Sequence, residues 1–215
     1  MHNVNVRLTR NSLCTQEDAL NYINKHGFVT LFQIKGSTLP SLYQAVKGTR
    51  KRKLDNTWKW ADSLAQKKQV YYGKLVHKQV TLISLEMFPY FYRAYQERKF
   101  NGAPREILEF LKQNGATCTT TLRRELNFQG KAKKSEFVKA LDVLQLAFAI
   151  AIVERKESPR MTYTWDLLER WMPKELLEKA EVLDVVEAKE KIAQRLQDSK
   201  LITGQKADRL LDLSR

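Results

Sequence analysis

The sequence has little cysteine, glycine or proline, and these shortages exclude several classes of protein. Its 215 residues include 2 Cys, 8 Gly and 5 Pro. Cys14 and Cys118 lie far apart, which excludes a disulfide framework and a cysteine–histidine zinc cluster. The few glycines form neither a phosphate-binding loop nor a nucleophile elbow. We therefore expect no metal, no nucleotide cofactor and no other cofactor.

Long hydrophobic runs are also missing. The longest apolar run covers residues 146–153, which is the length of a buried strand. A membrane-spanning helix needs about 20 apolar residues. The first residues contain no apolar stretch as long as that of a secretory signal. These absences predict a cytoplasmic protein that makes no membrane contact.

Acidic residues are scarce relative to basic ones. Lys and Arg number 38 against 24 Asp and Glu, which gives a formal net charge of +14. Such an excess repels itself unless a polyanion neutralises it, so nucleic acid is the favoured partner class. Because 43% of the residues are hydrophobic and 29% charged, the chain has the composition of a globular protein.

Residues 1–98 are interpreted as a first module, with a basic loop and a hairpin. Apolar spacing and turn residues predict its elements. In chain order these are a helix from Thr15 to Gly27, a strand over 28–34, a short helix over 39–46 with Pro40 in its first turn, a basic loop over 47–53, a helix over 58–68, a hairpin with strands over 69–76 and 80–85, and an aromatic helix over 86–95.

Residues 99–170 are interpreted as a second module, and 171–215 as a C-terminal helical segment. The second module reads as helix, short helix, helix, strand, turn and strand, which is the order of a winged helix. Phe137, Leu141 and Leu144 have the spacing of a buried stripe on its third helix. The fold expected is therefore α+β and mostly helical, with tandem winged-helix modules. The C-terminal helices are expected to pack against the modules through Val182, Val185, Val186, Ile192 and Leu196, with a role as a partner helix or dimer contact as the less favoured alternative.

Basic residues cluster where a winged helix contacts DNA, on the third helix, in the wing and in the basic loop. Lysine makes strong but non-directional phosphate contacts, so we expect affinity for the DNA backbone more than sequence choice. The proposed DNA-binding residues are Arg50, Lys51, Arg52, Lys53, Lys59, Lys74, Lys131, Lys133, Lys134, Lys139, Arg155 and Arg160.

Large aromatic residues accompany the cations in residues 57–76. They have two interpretations, as stacking platforms for unpaired bases or as core residues of a small domain. Trp58 and Tyr71 are the base-stacking candidates. Neighbouring residues of a strand face opposite sides, so Tyr71 and Tyr72 must diverge. We favour a mostly core role, with one ring of each pair at the surface.

The stretches "TWKW", "YYGK" and "SLEMFPYFY" resemble the AlkZ-related family, within the wider group of AlkZ and YcaQ winged-helix DNA glycosylases. The resemblance runs from about Ala19 to Trp171. It implies tandem winged-helix modules that act on DNA. Glycosylases of the group excise alkylated bases, including crosslinked ones, from duplex DNA.

The resemblance also implies where a catalytic site would lie. The signature of those glycosylases is Gln, an apolar residue, then Gln or Asp, and Gln33, Ile34 and Lys35 lie near the matching place. A cation at position 35 would oppose the developing oxocarbenium charge. A lysine with a depressed pKa could instead form a Schiff base, which would require burial.

Three hypotheses follow. The first is a DNA-binding protein, acting on duplex DNA in repair or transcriptional control, without catalysis of its own. The second is a DNA glycosylase with catalytic residues Gln33 and Lys35. The third is an RNA-binding or interaction module. A deep pocket around Gln33 and Lys35 would favour the enzyme, whereas a filled, flat surface would favour the DNA-binding protein.

Overall fold

The structure is a computed structural model that describes residues 12–198, except for 36, 38, 77–78, 97–98 and 157–161. It is α+β and mostly helical, as predicted. Its helices are α1 (Gln16–His26), α2 (Leu42–Ala45), α3 (Arg50–Gln66), α4 (Phe88–Tyr95), α5 (Ala103–Asn114), α6 (Thr119–Glu125), α7 (Lys131–Leu146), α8 (Leu168–Trp171), α9 (Lys174–Glu181) and α10 (Val185–Asp198). Its strands are β1 (Phe28–Thr30), β2 (Val70–Lys74), β3 (Val80–Ser84), β4 (Thr117–Cys118), β5 (Ile150–Lys156) and β6 (Thr162–Leu167).

Local sequence signals set the bounds of α1, and the prediction is confirmed. The Asp18 backbone N–H donates to the Thr15 hydroxyl at 3.1 Å, and the Thr15 N–H donates to the Asp18 carboxylate at 2.9 Å. This capping box satisfies amides that have no partner within the helix. Gly27 ends the helix with a φ of +78°, a conformation that favours glycine.

Two stretches of the chain repeat the same order of elements: helix, strand, helix, helix, strand, strand. The first runs from α1 to β3 and the second from α5 to β6. The two three-stranded sheets also match, because the orders β1-β3-β2 and β4-β6-β5 both place the last strand in the middle. The hairpin predicted for residues 69–85 is confirmed by antiparallel pairing of Val70 with Ser84 through Lys74 with Val80. Since their positions correspond, α3 and α7 are the third helices of the two stretches.

The core of the second stretch lies between its helices and the β6 strand. The stripe predicted for α7 is confirmed, since Phe137, Leu141 and Leu144 are all buried there. They pack with Ile107 of α5, Leu122 of α6 and other buried residues of the same cluster.

The β2–β3 hairpin is buried on both faces. Tyr71 and Tyr72 face opposite sides of β2, as the alternation of a strand requires, and each enters a different core. Both rings are at most 5% exposed. The expectation that one tyrosine lies at the surface is therefore wrong, because helices or strands cover both sides of this sheet.

The C-terminal helices complete the core of the first stretch. Ile192 and Leu196 of α10 are buried with Phe28, Phe88 and Phe91. The expected packing of this segment against the rest of the chain is confirmed.

Two valines of the predicted C-terminal face are nevertheless exposed. Val182 is 84% and Val186 63% exposed, whereas Ala188 is buried. The buried face of α10 therefore follows Ala188, Ile192 and Leu196 at helical spacing, with Val185 partly buried at its start. Val186 lies one residue off that stripe, and Val182 lies beyond the end of α9.

Three predicted elements of the first stretch differ from the structure. The strand predicted over 28–34 stops at Thr30, because β3 begins at Val80 and the Leu31 carbonyl accepts from the Tyr43 N–H at 3.0 Å. Pro40 lies before α2, where its carbonyl accepts from the Thr30 N–H at 2.9 Å. The prediction of a basic loop over residues 47–53 is wrong, since residues 50–53 are the first turn of α3.

Candidate nucleic-acid interface

Helix α7 presents its cations to solvent along its N-terminal half. All four predicted lysines on this helix are exposed, because residues 131–136 all precede Phe137, the first buried residue of α7, and Lys139 faces away from the buried stripe. The Lys133 ammonium lies 3.1 Å from the Glu136 carboxylate. Glu136 is the acidic member of an otherwise basic stretch, and the other three exposed lysines are Lys131, Lys134 and Lys139.

Helix α3 begins with four consecutive cations, Arg50 to Lys53. Thr49 caps the helix, since its hydroxyl accepts from the Arg52 N–H at 3.4 Å. The Lys53 ammonium lies 5.1 Å from the centre of the Tyr43 ring, which fixes one of the four cations over an aromatic face. The first turn contains no acidic residue. Because cations oppose the positive end of a helix macrodipole, this turn would be stabilised by a bound anion.

Lys59 is exposed on α3, but the two tryptophans beside it cannot both stack on bases. Trp60 is 6% exposed and belongs to the core. Trp58 is partly buried, with the Phe32 ring at 5.6 Å and the Arg155 guanidinium 5.3 Å from its centre. These contacts leave Trp58 little room to stack on a base.

Arg155 holds strand β5 against helix α3 of the first stretch. Its guanidinium forms an ion pair with the Asp62 carboxylate of α3, in addition to its contact with Trp58. Both side chains are largely buried, so removing either would leave an uncompensated charge. We therefore revise Arg155 from a DNA contact to a contact between the two stretches. Arg160 lies outside the described residues.

Lys74 is also engaged across the two stretches. Its ammonium lies 3.1 Å from the Asp142 carboxylate of α7, and its N–H donates to the Gln145 side-chain oxygen at 3.2 Å. The Lys74 side chain keeps 39% of its surface exposed. Its charge is therefore partly neutralised, as that of Lys133 is by Glu136.

Tyr71 cannot stack on a base, so this candidate is wrong. The ring is fully buried and packs on Phe148 at 5.0 Å and on Phe88 at 5.5 Å. Burial raises the pKa of its phenol above the ordinary value. Tyr71 is buried because α4 and residues 147–151 cover this face of the sheet. The sequence of β2 alone does not reveal that cover.

Gln33 and Lys35 are both exposed. The Gln33 side-chain oxygen accepts a hydrogen bond from the Gln44 amide, and its own amide donates to the Ser37 carbonyl at 3.5 Å. Lys35 is exposed, so it lacks the burial that a Schiff-base lysine requires. Neither Gln33 nor Lys35 therefore lies in an enclosed catalytic pocket.

The sequence prediction missed the acids Asp62 and Asp142, which neutralise two of the proposed DNA contacts. They lie 93 and 68 residues from their partners, so no local spacing identifies them. Across the described ranges, no group of three or more His, Cys, Asp or Glu side chains has a metal-binding arrangement. No helix among those residues has the length and apolar character needed to cross a bilayer.

The fold and these surfaces describe a small α+β protein with two topologically equivalent helices, each of which begins with exposed cations. The family model described as "AlkZ related" matches residues 13–211. The chain therefore belongs to the AlkZ-related family, as the sequence resemblance predicted, and this membership associates it with DNA repair. Neither the curated proteins nor the solved structures yielded a match.

Proposed function

We propose that the protein binds duplex DNA through the N-terminal turns of α3 and α7, in DNA repair or transcriptional control, and does not itself excise bases. Residues 1–98 and 99–170, which contain the two stretches, are then winged-helix modules, and each places its third helix at the DNA.

The observation that carries this proposal is the repetition of cations at equivalent positions. Residues 50–53 begin α3 and residues 131–134 begin α7, and seven of these eight residues are Arg or Lys. A packing role does not explain the repetition, because all of these side chains except the partly buried Lys53 are exposed. Phosphates would neutralise both turns and would also interact favourably with the two helix dipoles.

Lysine and arginine on these turns favour contact with the DNA backbone. The α7 cluster is entirely lysine, which acts as a point charge and reads base edges poorly. We therefore expect weak sequence preference and a strong dependence on salt.

The exposure of Gln33 and Lys35 supports binding without base excision. A glycosylase must stabilise a cationic sugar in a water-excluded site, and an exposed ammonium group would oppose that charge. Binding of DNA to the basic surface at α3 and α7 does not depend on a catalytic role for Gln33 or Lys35.

The binding half of the proposal is tested by a salt titration of affinity for a short duplex. The double variant Lys131→Ala/Lys134→Ala should bind more weakly and lower the slope of log affinity against log salt by about two units, since each phosphate contact contributes about 0.9. The matched control is Lys174→Ala/Lys179→Ala, which removes two exposed lysines of α9 and should behave as wild type. A slope near zero for the wild type, or equal effects of the two double variants, would contradict the proposed interface.

The catalytic half is tested by single-turnover incubation with a methylated-purine duplex. Base release should stay at the spontaneous rate. Release above that rate that disappears in Gln33→Ala would assign the protein to the glycosylases instead.

A further inference from the structure

A cleft of about 190 Å³ lies where the two stretches meet. One side is the β2–β3 hairpin, and the other is formed by α7, the start of α6 and the β5–β6 strands. Its lining residues are Tyr72, Lys74, Val80, Thr119, Val138, Leu141, Asp142, Gln145, Ile152, Tyr163 and Trp165. Sites for drug-sized ligands measure about 300–1,000 Å³, so this cleft has room for a single ring system.

Flat aromatic rings form part of the cleft wall and are held in place. The Trp165 indole N–H donates to the Thr119 hydroxyl at 2.8 Å, and that hydroxyl donates to the Tyr163 carbonyl at 3.0 Å. Tyr163 lies edge-on to Trp165 at 5.9 Å. Rings fixed in this way lose little entropy when a planar heterocycle packs on them.

Polar groups of both signs meet the apolar wall. The Lys74 ammonium and the Asp142 carboxylate lie 3.1 Å apart and supply a donor and an acceptor. Gln145 is buried, and its amide donates to the Leu141 carbonyl at 3.2 Å while its oxygen accepts from the Lys74 N–H. An apolar slot with a donor and an acceptor beside each other complements the edge of a nucleobase.

Helix α7 connects this cleft to the proposed DNA surface. Val138, Leu141 and Gln145 line the cleft, and Lys134 lies four residues before Val138 on the same face of the helix. At 1.5 Å per residue, Lys134 is about 6 Å from Val138 along the axis. A strand whose phosphates contact the lysines would therefore pass the mouth of the cleft.

From this arrangement we infer that the cleft binds one unpaired nucleobase of a DNA molecule whose backbone lies on α7. The inference rests on the proposed function, because it takes the lysines of α7 as the phosphate contacts. It places base stacking at Tyr163, the partly exposed ring of the cleft wall that packs on buried Trp165, instead of at Trp58 and Tyr71. The protein would thereby prefer DNA with a bulged or unpaired base over fully paired DNA.

The test compares the affinity for a duplex that carries one bulged 2-aminopurine with the affinity for the same duplex fully paired. Wild type should favour the bulged duplex about tenfold, within the range for stacking of one base on aromatic side chains. Val138→Trp fills the cleft without removing a lysine and should abolish the preference while leaving the affinity for paired DNA unchanged. Val143→Trp is the matched control, since Val143 is 44% and Val138 42% exposed on the same helix, and only Val138 lines the cleft.

A second measurement does not depend on the folding of any variant. Emission of the bulged 2-aminopurine should be quenched when wild type binds, because the base stacks on the aromatic wall. Equal affinity for the two duplexes, or a preference that survives in Val138→Trp, would overturn the inference and leave DNA binding intact. Absence of binding to either duplex would overturn the proposed function as well. Competition by the free 2-aminopurine nucleoside at the same concentration as the bulged duplex would assign the cleft to a small molecule and overturn the inference.

Discussion

Replacement of Gly73 by alanine should destabilise the protein through a single contact. A Cβ at position 73 would lie 2.8 Å from the Tyr71 hydroxyl oxygen and 2.9 Å from a carbon of the same ring. Both distances are shorter than a Cβ tolerates, and the Tyr71 ring is fully buried between Phe88 and Phe148. The ring can therefore move only by displacing other parts of the core.

The magnitude follows from two opposing effects. Overpacking of a well-filled core costs about 1–3 kcal/mol. Alanine is favoured over glycine within a strand by about 0.5–1 kcal/mol, because glycine loses more backbone entropy on folding. From the middle of each range, the net loss for Gly73→Ala should be about 1 kcal/mol. For a chain of this size that corresponds to a fall in Tm of about 2–4 °C.

A double-mutant cycle identifies the contact responsible. The Tyr71 hydroxyl has no hydrogen-bond partner within the part of the chain that the structure describes. Tyr71→Phe alone should therefore be neutral or stabilising, because it removes a buried polar group without breaking a bond. Tyr71→Phe should also recover part of the loss caused by Gly73→Ala. Equal unfolding free energies for Gly73→Ala and wild type, or strict additivity of the two changes, would refute the reasoning.

Two further predictions concern α7 and α1. Leu141→Ala should lower the free energy of unfolding by about 2–5 kcal/mol, because Leu141 is buried in the core. Lys139 is exposed, so Lys139→Ala should change that free energy by no more than about 0.5 kcal/mol. Equal melting temperatures for the two variants would show that the helix faces are misassigned. His26 is partly buried, and burial, together with Lys25 and Arg195, lowers its pKa to about 4. The neutral ring is therefore favoured in the folded state, so its stabilising contribution is complete above pH 6.5 and is lost as the pH falls towards 4. After allowance for solvent screening the loss should be on the order of 1–2 kcal/mol, and urea unfolding of His26→Gln should show a correspondingly smaller change over that range; an identical pH dependence would contradict the assignment.

Elements stabilised by neighbours in the sequence were predictable. The capping box of Thr15 and Asp18 and the stop at Gly27 define α1, and both signals lie within thirteen residues. The stripe of Phe137, Leu141 and Leu144 defines α7 in the same way. These interactions connect residues one or a few turns apart, so the local pattern contains the information that forms them.

The candidate interface was only partly predictable, because exposure and charge pairing depend on distant residues. The lysines of α7 are exposed as predicted, although Lys133 and Lys134 lie on the side of the buried stripe and are exposed because they precede its first member, Phe137. Arg155 and Lys74 are also cations in basic, aromatic stretches of the sequence. Asp62 and Asp142 nevertheless neutralise them from distant positions in the chain. Tyr71 gives no local sign that both faces of its strand are covered.

The sequence by itself determined most of the helices and strands, the basic character of residues 50–53 and of α7, and membership of the AlkZ-related family. Only the tertiary structure decided which cations remain at the surface, which aromatic rings enter the core and where α10 packs. It also decided that β2, α7 and the β5–β6 strands meet around a cleft. The reason is that helix and hairpin formation depend on contacts between near neighbours, whereas burial and ion pairing depend on surfaces that meet only when the two stretches and the C-terminal helices pack together.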